Sequence, residues 1–215
     1  ECNELNKRFF TFQQKKRPFI TLKWAQTPHN FIAPKTKNEQ KPVWITNAFS
    51  RQLAHKLRAE EQAILVGTHT VREDNPGLTT RDWYGTNPLR VVLDAGLTLS
   101  ASLQIFNGAS ETLVFTSKRK EDGDNSTFET VNFTENLAQQ LCDVLYKKEI
   151  QSLIVEGGAK TLQTFIDANL WDEALVFEGV SIFENGVKAP NLSGTLMQQT
   201  KIANDVLFHY KNPSI

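Results

Sequence analysis

The chain has 215 residues, 40% hydrophobic and 22% charged, the proportions of a globular protein. Its 24 lysines and arginines balance 24 aspartates and glutamates, so no global field draws it to nucleic acid or to an acidic membrane. No stretch approaches the roughly eighteen consecutive apolar residues of a membrane span.

Residues 1–17 are charged and aromatic-rich, and are expected to form a connector or docking arm. The polar opening Glu1-Cys2-Asn3-Glu4-Leu5-Asn6-Lys7-Arg8 predicts no signal peptide, and the missing initial Met points to a fragment or a processed chain. A strand is predicted over 19–24, then a polar loop over 33–42 between Pro34 and Pro42. A helix is predicted over 47–61, with Leu53, Ala54 and Leu57 inward and Asn47 or Ser50 as its cap. Apolar residues 63–67 make a continuous strand, followed by a short helix near 69–73. Strands are predicted over 88–94 and 112–116, a polar loop over 118–126, and a short strand over 130–133. Residues 135–148 are amphipathic through Leu137, Leu141, Val144 and Leu145. A strand over 152–156, a helix over 160–169, and strands over 174–177 and 205–210 complete the chain.

Strands and helices alternate, and several strands are apolar throughout. That pattern predicts an α/β fold with a mostly parallel central sheet flanked by helices on both faces. Ligands in such sheets bind at the carboxyl ends of strands. The candidate residues gather there: Gly67-Thr68, Asp94-Ala95 and Glu156-Gly157-Gly158.

The run Leu153-Ile154-Val155-Glu156-Gly157-Gly158-Ala159-Lys160-Thr161 carries the most information. A buried strand ends in a carboxylate, and two glycines then turn into a helix. Glycines there let the backbone approach a ligand, and the helix start offers unpaired N–H groups to phosphate. The plainer reading is a strand–helix turn with an ordinary acidic residue. Residues 64–81 repeat the logic: a strand, Gly67, hydroxyls at a helix start, then the turn Asp74-Asn75-Pro76-Gly77. Thr68 and Thr70 suit phosphate or ribose, or simply cap the helix. Arg58 and Arg81 together suit a phosphate clamp.

Other chemistries find no signature. His29, His55, His69 and His209 lack metal-ligand spacing, so no metal is expected. Cys2 and Cys142 are far apart, which predicts free thiols and a cytoplasmic protein. No nucleophile elbow, zinc-deaminase signature or G-x-G-x-x-G fingerprint is present.

An ordered set of short motifs resembles a known family. The set is Thr21-Leu22-Lys23-x-Ala25, Trp44-Ile45-Thr46, Leu57-Arg58-Ala59-Glu60, Ala63-Ile64-Leu65-Val66-Gly67-x-x-Thr70-Val71, Asp74-Asn75-Pro76-x-Leu78-Thr79-x-Arg81, Arg90-Val91-Val92-Leu93-Asp94 and Val155-Glu156-Gly157-Gly158. Together these resemble the reductase domain of the bifunctional riboflavin-biosynthesis deaminase/reductase, over about residues 17–210. The resemblance implies a dihydrofolate-reductase-like fold over 18–215, NADPH as cofactor and a homodimer. It implies reduction of 5-amino-6-(5-phosphoribosylamino)uracil to the phosphoribitylamino product. Residues 1–17 then look like the linker that follows a zinc deaminase domain in the full-length protein.

Carried over by motif, Arg58, Leu78, Arg81 and Glu156 look like substrate contacts. Ala25, Trp44, Thr70, Asp74 and Ala95 look like cofactor contacts, as does the turn Gly157, Gly158, Ala159, Lys160, Thr161, Leu162, Gln163 and Thr164. Lys23 and Glu156 are the catalytic candidates, with Lys23 orienting substrate or delivering a proton. Lys118-Arg119-Lys120 is a solvated loop or a contact for the cofactor's 2′-phosphate. One departure stands out: the family's Ser-x-Asp-Gly after the Ala25 position is Thr27-Pro28-His29-Asn30 here, and Pro42 stands for a usual serine. Two other readings are a reductase of a related ribosylamino-pyrimidine and a degenerate, non-catalytic nucleotide-binding module.

Overall fold

The computed structural model describes residues 2–214. Two helices, α1 (Cys2–Leu5) and α2 (Lys7–Lys15), precede strand β1 (Phe19–Gln26). Then come β2 (Phe31–Pro34), α3 (Ala48–Glu60), β3 (Ala63–Gly67), α4 (Thr68–Asp74), β4 (Leu89–Leu93), β5 (Thr112–Thr116) and β6 (Ser126–Thr130). The rest runs α5 (Leu137–Lys147), β7 (Ser152–Gly157), α6 (Ala159–Asp167), β8 (Glu173–Glu178), β9 (Gly186–Lys188), β10 (Thr195–Ile202) and β11 (Asp205–Lys211).

Nine strands make one sheet in the order β10-β11-β8-β1-β7-β3-β4-β5-β6. The seven from β8 to β6 run parallel, and β11 and β10 join antiparallel at one edge. The predicted α/β architecture therefore forms. Its cause is visible in the central strands, where alternate side chains enter two different cores. Leu65, Val91 and Val155 pack with Leu141, Leu145 and Phe165 of α5 and α6. Ile64, Val66, Val92 and Ile154 pack with Val71 of α4, with Leu57 of α3 against their cluster. Each fully buried aliphatic side chain contributes roughly 1.5–3 kcal/mol.

Several sequence expectations need correction. The short strand lies at Ser126–Thr130, so it occupies the end of the expected 118–126 loop and overlaps the 130–133 expectation only at Thr130. Its residues are half-buried or exposed at the sheet edge, so parallel pairing with β5 rather than apolar periodicity defines it. β10 was not foreseen because its side chains are largely exposed; antiparallel pairing with β11 creates it. β2 and β9 form a separate two-stranded ribbon, and β2 takes the first residues of the expected 33–42 loop. The inner face of α3 is Ser50, Ala54 and His55, while Leu53 and Leu57 are half-buried. Asn47 caps the helix by accepting the Phe49 and Ser50 N–H groups, and Ser50 Oγ donates to Asp205 Oδ2 at 2.6 Å. Asp205 thereby pins the helix start and turns that polar row inward.

The opening segment is helical and docked. Lys7 Nζ lies 2.7 Å from Glu173, Arg8 Nε lies 2.8 Å from Glu61, and Phe12 meets Tyr146 with ring centroids 4.6 Å apart. Arg17 closes the segment with a two-pronged bond to Asp172 at 2.6 and 2.9 Å. Both side chains are nearly inaccessible, and Asp172 also accepts the Ile20 N–H at 2.8 Å. Removing one member of such a pair strands a buried charge. Arg17→Ala should therefore lower stability by about 3–5 kcal/mol in urea unfolding. A loss under about 1 kcal/mol would show that the pair does not anchor the segment.

Candidate active site

The parallel strands point their carboxyl ends at one rim, and strand periodicity selects what stands there. In β1, Ile20, Leu22 and Trp24 face the α5/α6 core, which leaves Lys23 on the opposite face. In β7, Leu153 and Val155 face that same core, so Glu156 also lies opposite. The register pairs Leu22 with Val155, making Lys23 and Glu156 the next row of neighbouring strands. α3 covers this face and delivers Arg58. Arg58 Nη2 donates to Glu156 Oε2 at 2.7 Å, and Lys23 Nζ stands 3.5 Å from Glu156 Oε1. Lys23 also lies over the Phe177 ring, 5.6 Å from its centroid.

Two cations thus share one carboxylate, and the group carries net positive charge. Burial alone would raise the Glu156 carboxyl, but Arg58 and then Lys23 overcome it and hold it at about 2. Arg58 Nε and Glu156 Oε1 are buried without a hydrogen-bond partner. Buried polar atoms left open in this way mark capacity for a ligand.

The group forms the floor of a cleft of about 770 Å³. Of the residues proposed from sequence, Lys23, Arg58, Leu78, Arg81 and Glu156 all line it. So do Ala25, Trp44, Thr70 and Asp74, together with Gly158, Ala159 and Leu162 of the glycine turn. The others, Gly157 among them, do not line it. Thr161 lies behind the turn, against Gly67. Gln163 accepts the Asn191 N–H, Thr164 bonds back to Lys160 O, and Lys160 is exposed. The Ala95 carbonyl is occupied by Thr116 and Ser117 beyond the end of β4. Lys118 donates to Gly96 O, and Lys120 covers the Phe128 ring.

The glycine turns interlock. A Cβ on Gly67 would stand 2.6 Å from Thr161 Oγ1, and one on Gly158 would stand 3.3 Å from Thr70 Oγ1. Each strand–helix turn therefore seats against the first turn of the other's helix. Gly157 has φ +121°, a conformation that disfavours any side chain. Gly158 caps α6 without a side-chain bond, leaving the first N–H groups of that helix open toward the cleft.

Sequence reasoning missed parts of the wall. Lys37 forms an ion pair with Asp74, and Gln40 donates to Arg72 O at 2.7 Å, so the segment between β2 and α3 is tied to α4. Arg51 stacks over Trp44 at 4.8 Å. His55 lines the cleft three residues before Arg58, a helical spacing that places both on one face. His29 sits at the exposed tip of the β1–β2 turn, outside the cleft lining, and its carbonyl accepts from Lys188. Of the departures from the family pattern, His29-Asn30 thus falls on an exposed turn, where Asn30 takes the left-handed conformation at φ +60°, while Pro42 lines the cleft. Among the described residues, no three His, Cys, Asp or Glu side chains converge as a metal site. None of the described helices is long and apolar enough to cross a membrane.

Fold and site together define an α/β protein with a cationic ligand cleft at the carboxyl rim of a parallel sheet. The RibD C-terminal domain profile matches residues 18–184, and the chain belongs to that family. It is 37% identical over 202 residues to the riboflavin biosynthesis protein RibD of Aquifex aeolicus, covering 88% of this chain and 56% of that protein. The chain thus spans just over half the length of such relatives. It is also 29% identical to the 2,5-diamino-6-ribosylamino-4(3H)-pyrimidinone 5′-phosphate reductase of Archaeoglobus fulgidus, covering 82% of this chain and 86% of that one. A solved deaminase/5-amino-6-(5-phosphoribosylamino)uracil reductase from Thermotoga maritima superposes with TM-score 0.86 at 28% identity, covering 98% of this chain and 61% of that one. The yeast riboflavin biosynthesis reductase Rib7 shares the fold at 18% identity and TM-score 0.73, over 97% of this chain and 99% of that one.

Two tests follow from this geometry. Glu156 titrates below its ordinary value of 4.5 when folded, so its stabilisation is full above that pH and is lost as pH falls toward 2. The stability difference between wild type and Glu156→Gln should stay level from about pH 7 to 5 and shrink below it; a flat difference down to about pH 3 contradicts the pairing. Gly67→Ala should cost about 1–3 kcal/mol through overpacking, and adding Thr161→Ala should recover most of it. Simple additivity of the two changes would deny the interlock.

Proposed function

We propose that this chain is the reductase of a phosphorylated ribosylamino-pyrimidine, converting 5-amino-6-(5-phosphoribosylamino)uracil to its ribitylamino product with NADPH. The observation that carries this reading is the Lys23–Glu156–Arg58 group under an open cleft, with Arg81 and the glycine turn on its walls.

The residues suit a dinucleotide. The start of α6 has no side-chain cap and meets the cleft at Gly158 and Ala159, so its first backbone N–H groups suit a diphosphate. Ala25, Thr70, Asp74 and, from the glycine turn, Gly158, Ala159 and Leu162 are assigned to that ligand, with Trp44 beside it under Arg51. When bound, the reduced nicotinamide supplies a hydride.

The chain's own work is binding, orientation and proton handling. Arg58 and Arg81 offer forked donors to the sugar phosphate, and their charge exceeds what Glu156 neutralises. Glu156 is held ionised at neutral pH, so its open Oε1 accepts from a substrate hydroxyl or N–H. Opening the ribose breaks the bond between C1′ and the ring oxygen, leaving a C1′=N imine and placing a proton on that oxygen. Reduction then adds one hydride at C1′ and one proton at nitrogen. Lys23, on the rim beside Glu156, is assigned to deliver or orient a proton. Much of the acceleration then comes from holding both molecules together.

The second reading is the 2,5-diamino-pyrimidinone reductase, favoured by the Archaeoglobus relative of nearly matching length. The two substrates differ at one position of the base, so the group facing that position decides. We also assign a homodimer, a cytoplasmic location and, in the full-length protein, an N-terminal zinc deaminase partner domain linked through residues 1–17. Exposed Ile182, Leu196 and Met197 supply apolar surface for self-association.

Loss of reduced-nicotinamide absorbance, measured with each substrate and with NADPH against NADH, tests the assignment. The uracil substrate with NADPH should give the highest kcat/KM. Arg58→Ala should lower kcat/KM about ten- to a hundredfold with little change in NADPH binding, as expected for loss of a charged hydrogen bond of about 1.5–3 kcal/mol. Tight NADPH binding without turnover of either substrate would instead identify a non-catalytic binding module.

A further inference from the structure

His55 has an environment that the reaction does not require. Its side chain is 6% exposed, although it lines the cleft. The Arg81 backbone N–H donates to its Nδ1 at 3.2 Å, and its Nε2 stands 3.5 Å from the Asp82 carboxylate. The two contacts select one tautomer: Nδ1 accepts, so the ring proton is on Nε2 and faces Asp82. Charged groups approach from three elements. Arg58 comes from α3, Glu156 from β7, and Arg81 and Asp82 from the 79–87 loop. Burial first, then the two arginines, hold the imidazole below its ordinary value, while Asp82 and Glu156 oppose them. The ring is therefore neutral at pH 7.

The loop packs on α3, with Trp83 beneath Lys56 Nζ at 5.5 Å and Gly85 so near Ala59 that an added Cβ would stand 2.6 Å from the Ala59 Cβ, but few hydrogen bonds fix its backbone. Residues 78–88 contain no helix or strand, and Thr80 bonds only to Asn87 and Thr86 within the same loop. The Arg81 guanidinium has one long contact, 3.5 Å to Thr79 Oγ1. Two hydrogen bonds join the loop backbone to α3, Arg58 Nη1 to Thr79 O at 3.4 Å and the shorter His55–Arg81 bond, and the Asp82 side chain adds its 3.5 Å contact with His55.

We propose that His55 is the positioning residue for Arg81, gripping the backbone of its loop so that the guanidinium is preset toward an anionic group in the cleft. The grip depends on protonation. A proton on Nδ1 would set one N–H against another and release the loop. Affinity for a phosphorylated ligand should then fall on the acid side, separately from any proton transfer in the chemical step. This inference rests on the reading of Arg81 as a phosphate contact.

Two variants and one spectroscopic measurement test it. His55→Leu should raise KM for the uracil substrate about tenfold while kcat stays within about threefold. His55→Asn places an acceptor oxygen near the Nδ1 position, so KM should return to within about threefold of wild type and lose its acid-side rise. Equal losses in both variants, or kcat falling in step with KM, overturn the proposal. Nitrogen-15 NMR of the chain alone separates this from the functional reading. An unprotonated Nδ1 at neutral pH, together with an Arg81 amide resonance that moves as His55 titrates, supports the grip even if neither substrate turns over. A protonated Nδ1, or an Arg81 amide blind to that titration, refutes it even if the enzyme is fully active. Should His55→Leu fail to fold, His55→Asn and the wild-type titration still decide.

Discussion

One carboxylate held between two cations organises this molecule. Glu156 stands near the carboxyl end of β7, Lys23 on the neighbouring strand β1, and Arg58 descends from the covering helix. A lone carboxylate at this depth would be neutral or destabilising. With two partners it stays charged, and it ties the sheet to α3. Because the cations outnumber it, the pocket keeps a positive character that the balanced chain as a whole lacks.

The two glycine turns give the cleft its shape. β3 and β7 are adjacent, and each passes into its helix through a turn that lodges against a threonine in the first turn of the other's helix. Glycine at 67 reflects steric contact with Thr161, whereas glycine at 157 reflects a backbone conformation. The same residue type thus answers two different physical demands within one rim. The opposite wall depends on the segment between β2 and α3, which has no regular structure and is held by side-chain ties to α4.

The amino-terminal helices work at the far end of the strands. Their basic residues, with Arg17 just after them, meet Glu61, Asp172 and Glu173 at the entry points of β3 and β8. Glu173 is a second buried carboxylate brought to about 2, where His209 and Lys7 outweigh the opposing effect of burial. Ion pairs thus hold both ends of the sheet, those of the amino-terminal segment at the strand entries and the Lys23–Glu156–Arg58 group in the cleft.

The sequence by itself determined the alternation of buried strands and helices, the parallel sheet, and the residues most directly aimed into the cleft. The alternation was legible because apolar runs and glycine turns are local patterns, and the cleft residues Lys23, Arg58, Leu78 and Arg81 were legible through the ordered motifs of the family resemblance; the pairing of β1 with β7 is what sets Lys23 beside Glu156. Only the tertiary structure decided the polar edge strands β6 and β10, whose identity comes from backbone pairing rather than from side chains. It also decided which residues of the 157–164 turn face the cleft and which face a neighbouring turn or strand, since one helical turn points in every direction. His55 belongs to the same class. Nothing in a lone histidine on a helix announces its role; a loop twenty-six residues further on has to fold back and offer it a backbone N–H.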